Sequence, residues 1–369
     1  MLMARELGPG GTERQLTELA RSLDRSRFQV HVACFREGIR ASELKADGIP
    51  VVRLPVTSFM KPSAITGAWR LARFIRTLNI RVVHTFDYPL NCFGVPIARA
   101  AKSPIVLSSQ RAHRHLTPRL YLRILRLTDR LVNGIVVNSE AVRRELILNE
   151  RVRPSKIHLC HNGVDTARFN PEGRRRLHAL ENASLVIGSM CVLRPEKGLG
   201  TLIEGFARIS SRCPGLRLAI VGSGPELPRL EELAKQLGVF EQCLFQPAEL
   251  DVTPWLKSID IFVLPSLSEA LSNSLMEAMA CGCACVASRT GGNPEIIRDG
   301  NTGLLFEPGD VRDLAGQLSV LIGDAGLRCR LADSGSHLIR ERFSLARSVA
   351  RMEEIYESHL EKDSRRRSR

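Results

Sequence analysis

The sequence contains no apolar run that approaches the roughly 18 to 20 residues of a membrane-spanning helix, and no signal-peptide pattern opens it. Its ten cysteines are scattered, mostly within apolar runs, and none belongs to a C-x-x-C pair. The grouping Cys281-Gly-Cys283-Ala-Cys285 alternates as a strand entry does, which favours buried small hydrophobic side chains over a metal or redox site. These absences predict a cytoplasmic protein whose thiols stay reduced.

Aromatic residues and paired aspartates are also scarce. Aromatic residues make up only 5% of the 369 residues and are not interleaved with basic ones, so stacking on the bases of a nucleic acid is not supported. No Asp-x-Asp pair occurs, so we expect no required Mg²⁺ or Mn²⁺ held by paired aspartates. The remaining composition, 44% hydrophobic and 25% charged, is typical of a globular protein, and the chain is long enough for two domains.

The basic excess is confined to the first half of the chain. The net charge is +14, and residues 1–165 carry 27 Lys and Arg against 13 Asp and Glu, whereas residues 166–369 carry 26 of each. Such an asymmetry suits three kinds of partner, namely nucleic acid, an anionic membrane surface or an anionic acceptor molecule.

Strands and helices alternate along both halves of the chain, which predicts an α/β protein with parallel, doubly wound sheets. The alternation stops where proline, glycine and consecutive arginines indicate a linker, and then it restarts. We therefore predict a first domain over residues 1–165, a linker over residues 166–183, a second domain over residues 184–342, and a terminal helix with a frayed basic tail over residues 343–369.

The stretch Glu269–Gly282 (EALSNSLMEAMACG) follows an apolar run, Asp260–Pro265, that we predict to be a buried strand. Glu269 then falls in the loop at the end of the strand, and the residues after it carry helix-start chemistry. A helix N-terminus at the rim of a parallel sheet offers free N–H groups to a phosphate or diphosphate. A simpler interpretation stays open, because Ser274-x-x-Glu277 is also a capping box, in which Glu277 bonds only to a backbone N–H.

As a whole, this stretch closely resembles the donor-site motif of the family-4 retaining glycosyltransferases of the GT-B fold, with S-N-S between the two glutamates and A-M-A-C-G behind them. The resemblance implies that Glu277 holds the nucleotide ribose and that Glu269 approaches the transferred sugar. It places the distal phosphate of the donor on the amides of the intervening residues, Ser272, Asn273, Ser274 and Leu275. Ala270 departs from the family, which usually has glycine there, and it leaves the backbone less freedom beside the sugar.

Further motifs of the second half follow in the order of the family. Arg194 and Lys197, in R-P-E-K-G after a predicted strand, can converge on one diphosphate, the arginine bidentately and the lysine as a point charge. The resemblance implies that both bind the donor phosphates, and a surface salt-bridge loop is the alternative. From the loops G-S-G-P-E and G-G-x-P-E, the resemblance also assigns four glycines to the donor site, namely Gly222, Gly224, Gly291 and Gly292.

In the first half, G-P-G-G-x-E-R-Q resembles the first loop of the family, which lies near the donor phosphates and the acceptor. The residues that it contributes are Gly10, Gly11 and Glu13. Only a few residues precede this loop where the family has a full strand, so we expect either a stunted first strand or a start codon placed too late. The segment S-Q-R-A-H-R-H supplies Arg111 and either His113 or His115 to the acceptor side, where the family often has a histidine. A solvated basic loop is the alternative.

Residues 117–131 are predicted to form a helix with arginines along one face, at positions 119, 123, 126 and 130. A basic amphipathic helix can lie on anionic lipid, although a helix packed on its own domain with a solvated basic face fits the same pattern. Enzymes of the GT-B fold that act on lipid-linked acceptors often dock through their first domain. We therefore expect contact with an anionic membrane surface and a peripheral location on the inner face of the membrane.

The resemblance covers nearly the whole chain and implies two Rossmann-like domains that face each other across a cleft, with the C-terminal helix crossing back to the first domain. It implies retaining transfer of a sugar from a nucleoside-diphosphate sugar to a hydroxyl of a glycan or lipid-linked acceptor, in surface polysaccharide or glycolipid assembly. Glu269 and His113 are the expected catalytic residues, with no covalent nucleophile assigned. We expect no metal, no cofactor besides the donor substrate and no nucleic acid partner.

Three alternatives to this function stay open. One is a nucleotide-sugar epimerase of similar fold, against which the motif with two glutamates counts. A second is a catalytically silent relative that only binds nucleotide. The third is a nucleic-acid-binding protein, which the basic first half allows.

Overall fold

The computed structural model describes residues 1–211 and 213–368. The chain divides into two compact units, each built on one parallel sheet. The first unit comprises Met1–Gly163 together with the helix that begins at Leu345, and the second comprises Val164–Ser344.

The strands of the first unit are β1 (Leu2–Glu6), β2 (Val32–Arg36), β3 (Val51–Arg53), β4 (Val82–Thr85), β5 (Ile105–Gln110), β6 (Gly134–Val137) and β7 (Ile157–Leu159). The helices between them are α1 (Gly11–Ser22), α2 (Ile39–Ala46), α3 (Ser63–Thr77), α4 (Tyr88–Ala100), α5 (Arg119–Leu131) and α6 (Glu140–Leu148).

The strands of the second unit are β8 (Leu185–Met190), β9 (Leu216–Val221), β10 (Cys243–Gln246), β11 (Ile261–Leu264), β12 (Ala284–Ser288) and β13 (Leu304–Phe306). Its helices are α7 (Leu199–Ser210), α8 (Leu227–Gln236), α9 (Thr253–Ser258), α10 (Asn273–Ala280), α11 (Asn293–Ile296), α12 (Val311–Gly323) and α13 (Ala325–Arg342). The last helix, α14 (Leu345–Arg367), returns to the first unit.

In each sheet the first strand along the chain lies in the interior, and the order in which later strands are added reverses once. The strand order is β3-β2-β1-β4-β5-β6-β7 in the first sheet and β10-β9-β8-β11-β12-β13 in the second, with parallel pairing throughout. The predicted doubly wound α/β architecture is therefore confirmed. Because ligands of such sheets bind outside the carboxyl ends of the strands where the order reverses, the functional sites are to be sought between β1 and β4 and between β8 and β11.

The first strand is not stunted. β1 is as long as β2, each spanning five residues, and the two pair from Leu2↔Val32 to Glu6↔Arg36. β1 also pairs with β4, so it lies in the interior of the seven-stranded sheet. The few residues before the glycine-rich loop are sufficient to form this strand because the strands on both sides of it are short as well.

The residues predicted to link the domains, 166–183, fold onto the second unit. Phe169 and Leu180 are buried in its hydrophobic core, and Arg174 donates a hydrogen bond to the carbonyl oxygen of Cys281 over 2.8 Å. The loop-like composition thus correctly indicated a segment without an α-helix or a β-strand, and its one 3₁₀ turn spans His178–Leu180. The segment is nevertheless packed on the second unit.

The terminal helix α14 packs on the first unit, where Met352 and Tyr356 are part of the hydrophobic core. It continues to Arg367 and so includes most of the basic tail that we predicted to be frayed. An ion pair of 3.0 Å between Arg367 and Asp363, one helical turn apart, supports its last turn. Arg369, the last residue of the predicted tail, lies outside the described residues. Neither α14 nor any other described helix is both long enough and apolar enough to cross a bilayer.

The three closely spaced cysteines are free thiols in the core of the second unit. Burial raises the pKa of Cys281 to about 12 and also raises the pKa values of Cys283 and Cys285. All three therefore stay protonated at neutral pH and pack as small hydrophobic side chains, as the alternation of the sequence predicted.

Candidate active site

The loops that carry the predicted donor motifs follow β8 and β11, the two strands at the switch point of the second sheet. Residues 191–198 lead from β8 into α7, and residues 265–272 lead from β11 into α10. The backbone N–H of Leu267 donates to the carbonyl oxygen of Glu196 over 2.8 Å and joins the two loops. The topology of the sheet thus brings together two motifs that are far apart in the sequence.

An ion pair connects these loops. Lys197 Nζ lies 2.7 Å from Glu269 Oε2, and only 22% and 12% of the two side chains are exposed. Ser266 Oγ donates a second hydrogen bond, of 3.2 Å, to the same carboxylate oxygen. Burial works against the charge of Lys197, but the neighbouring Glu269 outweighs it and the pKa of Lys197 is raised. A positive charge is therefore held in a fixed position at the switch point.

Gly198 allows the close approach of the two loops. Its backbone is left-handed, with a φ of 62°, and a Cβ atom at this position would lie 2.2 Å from the carbonyl oxygen of Pro265. Any other residue would have to push the loop after β11 away from Lys197. The glycine in R-P-E-K-G is thus a structural requirement of the ion pair.

The serines after Glu269 begin α10 as predicted, and the structure identifies the capping residue. Ser272 is the N-cap, and its Oγ accepts from the N–H of Leu275 over 3.2 Å. Counted from this cap, Leu275 occupies the position of a capping-box glutamate, so the alternative in which Ser274 and Glu277 form a capping box does not fit. Glu277 lies in the second turn, and its side chain is buried, with 4% exposed.

Arg194 and Lys197 do not share a partner in this structure. The Arg194 side chain is 60% exposed, and its guanidinium lies 3.9 Å from the Glu196 carboxylate, whereas Lys197 binds Glu269. The predicted convergence of both cations on one diphosphate therefore requires Arg194 to turn from the solvent, which its exposure allows.

Gly222 and Gly224 lie where the loop after β9 meets the loop after β8. A Cβ atom on Gly222 would lie 1.9 Å from the carbonyl oxygen of Cys191, and one on Gly224 would lie 2.3 Å from that of Leu193. The N–H of Leu193 donates to Ser223 O over 3.1 Å. These glycines thus allow the loop after β9 to pack closely against the loop that carries Arg194 and Lys197.

Gly291 and Gly292 form the turn between β12 and α11, and Gly292 is the N-cap of that helix. Two neighbours that we did not predict secure the turn. Asn293 Nδ2 donates to Ser288 O over 3.0 Å, and Ser288 Oγ donates to Ser266 O over 2.5 Å. The second bond joins the end of β12 to the loop after β11, and no local sequence pattern indicates it.

In the first unit, the glycine-rich loop leads from β1 into α1. Gly10 is the N-cap of α1, and Gly11 is its first residue. The Glu13 carboxylate folds over the loop, so that a Cβ atom on Gly10 would lie 2.2 Å from Glu13 Oε2. Burial raises the pKa of Glu13. The Glu13 carboxyl group therefore lies at the N-terminus of α1, the end of a helix at which a negative charge is favoured.

Side-chain contacts gather the other first-domain motifs at the same edge of the sheet. Gln15, which we had not singled out, donates to Gly163 O over 2.8 Å and accepts from Gly163 N–H over 2.9 Å. Arg111 donates to Asn162 Oδ1 over 2.7 Å, and its guanidinium lies 4.9 Å from the centre of the Phe86 ring. Burial lowers the pKa of Arg111.

Two titratable groups beside the switch point of β1 and β4, the half-buried Asp87 and the buried His84, were not predicted. Asp87 caps α4, accepting from the N–H groups of Arg5 over 2.5 Å and Leu90 over 2.9 Å, and burial raises its pKa to about 6. His84 contacts the hydroxyls of Tyr356 and Ser109, both at 2.8 Å, and burial lowers its pKa well below the usual value. Asp-Tyr-Pro after an apolar strand is a helix-start pattern that could have indicated Asp87.

The structure connects His113, one of the two predicted histidines, to α6. His113 Nδ1 contacts the carboxylate of Glu145, and the N–H of Arg114 donates to the other oxygen of that carboxylate over 2.9 Å. The rings of His113 and His115 are stacked with their centres 5.5 Å apart. His113 is half-buried and His115 is exposed. The catalytic role of His113 stays a prediction.

Two family models match the chain. Residues 9–168 match the model described as Glycosyltransferase Family 4, and residues 181–324 match the model described as Glycosyl transferases group 1. The two matches fall on the two structural units in turn.

Curated relatives agree with these matches. The lipopolysaccharide core biosynthesis glycosyltransferase LpsE of Rhizobium meliloti is 34% identical over 51% of this chain and 54% of its own length. The chain thus spans about half the length of that relative. The GDP-mannose-dependent alpha-(1-6)-phosphatidylinositol monomannoside mannosyltransferase of Mycolicibacterium smegmatis is 30% identical over 85% of both chains.

Solved structures share the fold. Anabaena HepE, determined in complex with UDP and glucose, superposes with a TM-score of 0.86 over 97% of this chain and 98% of its own, at 20% identity. The sucrose-phosphate synthase of Thermosynechococcus elongatus superposes with a TM-score of 0.82 over 98% of both chains, at 17% identity. Two Rossmann-like sheets, the ordered motifs at their carboxyl edges and these relatives lead to one assignment: the chain belongs to the group 1 glycosyltransferases of family 4, with the GT-B fold.

Proposed function

We propose that this protein transfers a sugar from a nucleoside-diphosphate sugar to a hydroxyl of a glycan or lipid-linked acceptor, with retention of configuration and without a metal ion. The Lys197–Glu269 ion pair at the switch point of the second sheet carries the proposal. The names of the relatives support it, since LpsE belongs to lipopolysaccharide core biosynthesis and the mycobacterial relative uses GDP-mannose. HepE has been determined with UDP and glucose.

The chemistry of the transfer needs positive charge where the diphosphate departs. The bond from the anomeric carbon to the diphosphate breaks, a bond to the acceptor oxygen forms, and the acceptor proton leaves with the diphosphate. Lys197 is a fixed cation beside this position, and the start of α10 adds backbone N–H groups. Because these groups are oriented before the reaction, they stabilise the developing charge without reorganisation. Glu269 holds Lys197 in position. Its resemblance to the family motif supports our assignment of Glu269 to the side of the transferred sugar, and we assign it no covalent intermediate.

The remaining roles follow the motifs. Glu277, whose side chain is buried behind the start of α10, is assigned to the ribose of the donor. The acceptor is assigned to the first unit, where the glycine-rich loop, Arg111 and Asn162 lie at one edge of the sheet. An acceptor of surface polysaccharide or glycolipid assembly suits the basic character of this unit.

A membrane surface is the proposed partner of α5, which would make the protein peripheral on the cytoplasmic face. Its four arginines, at positions 119, 123, 126 and 130, are exposed. Leu120 and Leu127 are also exposed, by 67% and 59%. A helix that exposes both leucine and arginine suits the interface between lipid headgroups and acyl chains.

The first test measures thermal stability in EDTA with UDP, GDP or ADP. At about 100 times the Kd, the cognate nucleotide should raise Tm by about 5 to 10 °C. The shift should disappear in Lys197→Ala and Glu277→Ala and persist in Arg208→Ala, an exposed position on α7. Product analysis by NMR with the cognate sugar nucleotide should then show the anomeric configuration of the donor retained.

Each other outcome counts against part of the proposal. The absence of a shift with all three nucleotides would remove the donor site. A nucleotide shift without transfer to any glycan or lipid acceptor would favour a silent relative. A stabilising effect of an oligonucleotide alone would favour nucleic acid binding, and activity that EDTA abolishes would contradict metal independence.

A further inference from the structure

We propose that His113, His115 and Glu145 form a binding site for a divalent transition-metal ion, Zn²⁺ being the best fit. One donor atom of each side chain, an imidazole nitrogen or a carboxylate oxygen, lies within 4.8 Å of the other two. This cluster is part of the first unit and is distinct from the ion pair of the donor motif in the second unit.

Two local features of the fold bring the histidine ligands together. His113 is the N-cap of a single 3₁₀ turn, Arg114–Leu116, that follows β5, and His115 lies inside this turn. Arg114, between them, sends its guanidinium to Asp129 at 2.8 Å and buries its side chain. This anchor leaves the two imidazoles stacked on one another, at an angle of 25° between the rings.

The carboxylate ligand is held by the same turn. One oxygen of Glu145, from α6, accepts from the N–H of Arg114 over 2.9 Å, and the other contacts His113 Nδ1. The bond from Arg114 is an outer hydrogen bond of the kind that orients the carboxylate ligands of known metal sites, and a bound ion would replace the direct contact between His113 and Glu145.

The spacing fits a metal ion after small side-chain movements. With metal–ligand bonds of about 2.0 to 2.2 Å, the ligand atoms of a tetrahedral zinc site lie about 3.3 Å apart. Atoms within 4.8 Å of one another reach that separation by rotations that shift each by about 1 Å. Two histidines and a glutamate also leave the fourth position open to water or another ligand.

The type of ligand selects the type of metal. Imidazole nitrogens favour zinc, nickel, cobalt and copper, whereas Mg²⁺ and Ca²⁺ prefer sites made of oxygen alone. Mg²⁺ therefore serves as a negative control. The inference does not make the metal a participant in sugar transfer.

One consequence rests on the proposed function. If His113 serves the acceptor side, an ion bound to it withdraws the imidazole from that role, and micromolar zinc inhibits transfer. Metal binding itself is measured without donor or acceptor, so a failure of the metal site and a failure of the proposed function remain distinguishable.

The test is calorimetric titration of Zn²⁺ into the full chain, prepared without a histidine tag and with the exposed thiol removed by Cys329→Ser. We expect one ion per chain. The affinity should fall at least about tenfold in His115→Ala and in Glu145→Gln, because even outer partners of metal ligands contribute that much. His337→Ala is the matched control, since His337 and Glu341 form an exposed His–Glu pair, 3.8 Å apart.

Co²⁺ substitution supplies an independent readout. Visible absorption bands of cobalt in a nitrogen and oxygen site, without a thiolate charge-transfer band, would support the three ligands. A thiolate band, equal zinc affinity in wild type and His115→Ala, or binding of Mg²⁺ with similar strength would each overturn the inference. Because His115 is exposed, its replacement leaves the fold intact, and equal Tm values of the metal-free variants check this point.

Discussion

Charged side chains at the two switch points are stabilised in different ways. In the second unit, Lys197 and Glu269 neutralise each other over 2.7 Å. In the first unit, Arg111 is held by the Asn162 amide and the Phe86 ring, and Asp87 is held by backbone N–H groups. A buried charge with neutral partners keeps much of its desolvation cost. This cost lowers the pKa of Arg111 and raises that of Asp87, whereas the pKa of Lys197 is raised by its counterion.

Replacement of Lys197 tests the charge at the donor site. We expect Lys197→Ala to lower the transfer rate by about 10²- to 10³-fold, the usual effect of removing one preorganised group. It should also weaken nucleoside-diphosphate binding, because the Glu269 carboxylate would face the diphosphate without its cation. Steady-state kinetics and nucleotide titration measure both effects. Arg208→Ala controls for the loss of a positive charge on the same unit, and a normal rate in Lys197→Ala would contradict the assignment.

Asp87 predicts a pH dependence of stability. Its pKa is raised from 3.8 to about 6 in the folded protein, so the folded state holds this proton more tightly than the unfolded chain does. The stability that the group contributes is therefore complete below about pH 4 and is lost as the pH rises through about 6. We expect the free energy of unfolding of Asp87→Asn, minus that of wild type, to increase over this interval and to level off above it.

Chemical denaturation of both proteins across this pH range measures the difference. Asp333→Asn, at an exposed position on α13, corrects for the change in net charge. A difference between Asp87→Asn and wild type that is constant with pH would show that burial does not raise the pKa of Asp87.

At the scale of elements, the second site depends on how closely the loops after neighbouring strands approach one another. Gly198 meets Pro265, Gly222 meets Cys191, and in each case a Cβ atom would lie about 2 Å from a carbonyl oxygen. The regular strands fix where these loops start, but the glycines decide how near they come. The ion pair is thus a product of backbone packing as much as of charge.

Gly198→Ala separates this packing from ordinary backbone preference. Gly238 is also left-handed, with a φ of 70°, but a Cβ atom there would meet nothing within 4 Å, whereas at Gly198 it would meet Pro265 O at 2.2 Å. We expect Gly238→Ala to cost about 1 kcal/mol, the penalty of the left-handed conformation alone. Gly198→Ala should cost about 1 to 3 kcal/mol more and should also weaken nucleotide binding.

Denaturation and nucleotide titration of the two alanine variants measure these effects. Equal losses of stability in both, with nucleotide binding intact in Gly198→Ala, would refute the role given to the contact with Pro265.

Most of the secondary structure followed from hydrophobic periodicity, and the failures have local causes. Residues 88–100 form α4, which we had not predicted, because Gly94 and the internal Pro96 interrupt the helical pattern. The doubly wound sheets were predictable because buried parallel strands are continuously apolar. The contact of Lys197 with Glu269 spans 72 residues and that of His113 with Glu145 spans 32. Such pairings depend on sheet order, which periodicity does not specify, so the motifs were found but most of their partners were not.

The whole molecule concentrates its positive charge in the part that contains the first unit. On α5 this charge lies beside exposed leucines. An attraction of about 1 kcal/mol for each arginine near an anionic surface is enough for reversible binding when several act together. Part of the excess of basic residues in the first half of the sequence is thus located, in the structure, on the exposed face of α5.

Vesicle sedimentation tests this surface. We expect binding to phosphatidylglycerol vesicles that weakens with added salt, and little binding to phosphatidylcholine vesicles. Arg123→Glu with Arg130→Glu should lower the affinity about tenfold or more, because two attractions become repulsions. The matched double variant Arg312→Glu with Arg330→Glu reverses two exposed charges of the second unit. Equal losses in both double variants would indicate a response to net charge rather than a docking face.

The return of α14 to the first unit has a consequence for the order in which the protein is made. Val349, Met352 and Ile355 are core residues of a unit whose other members end at Gly163. During synthesis on the ribosome, the first unit therefore begins to emerge before the second unit but is completed after it, because the whole second unit must emerge before α14 does. Until then the surface that α14 covers stays open to chaperones and to other chains.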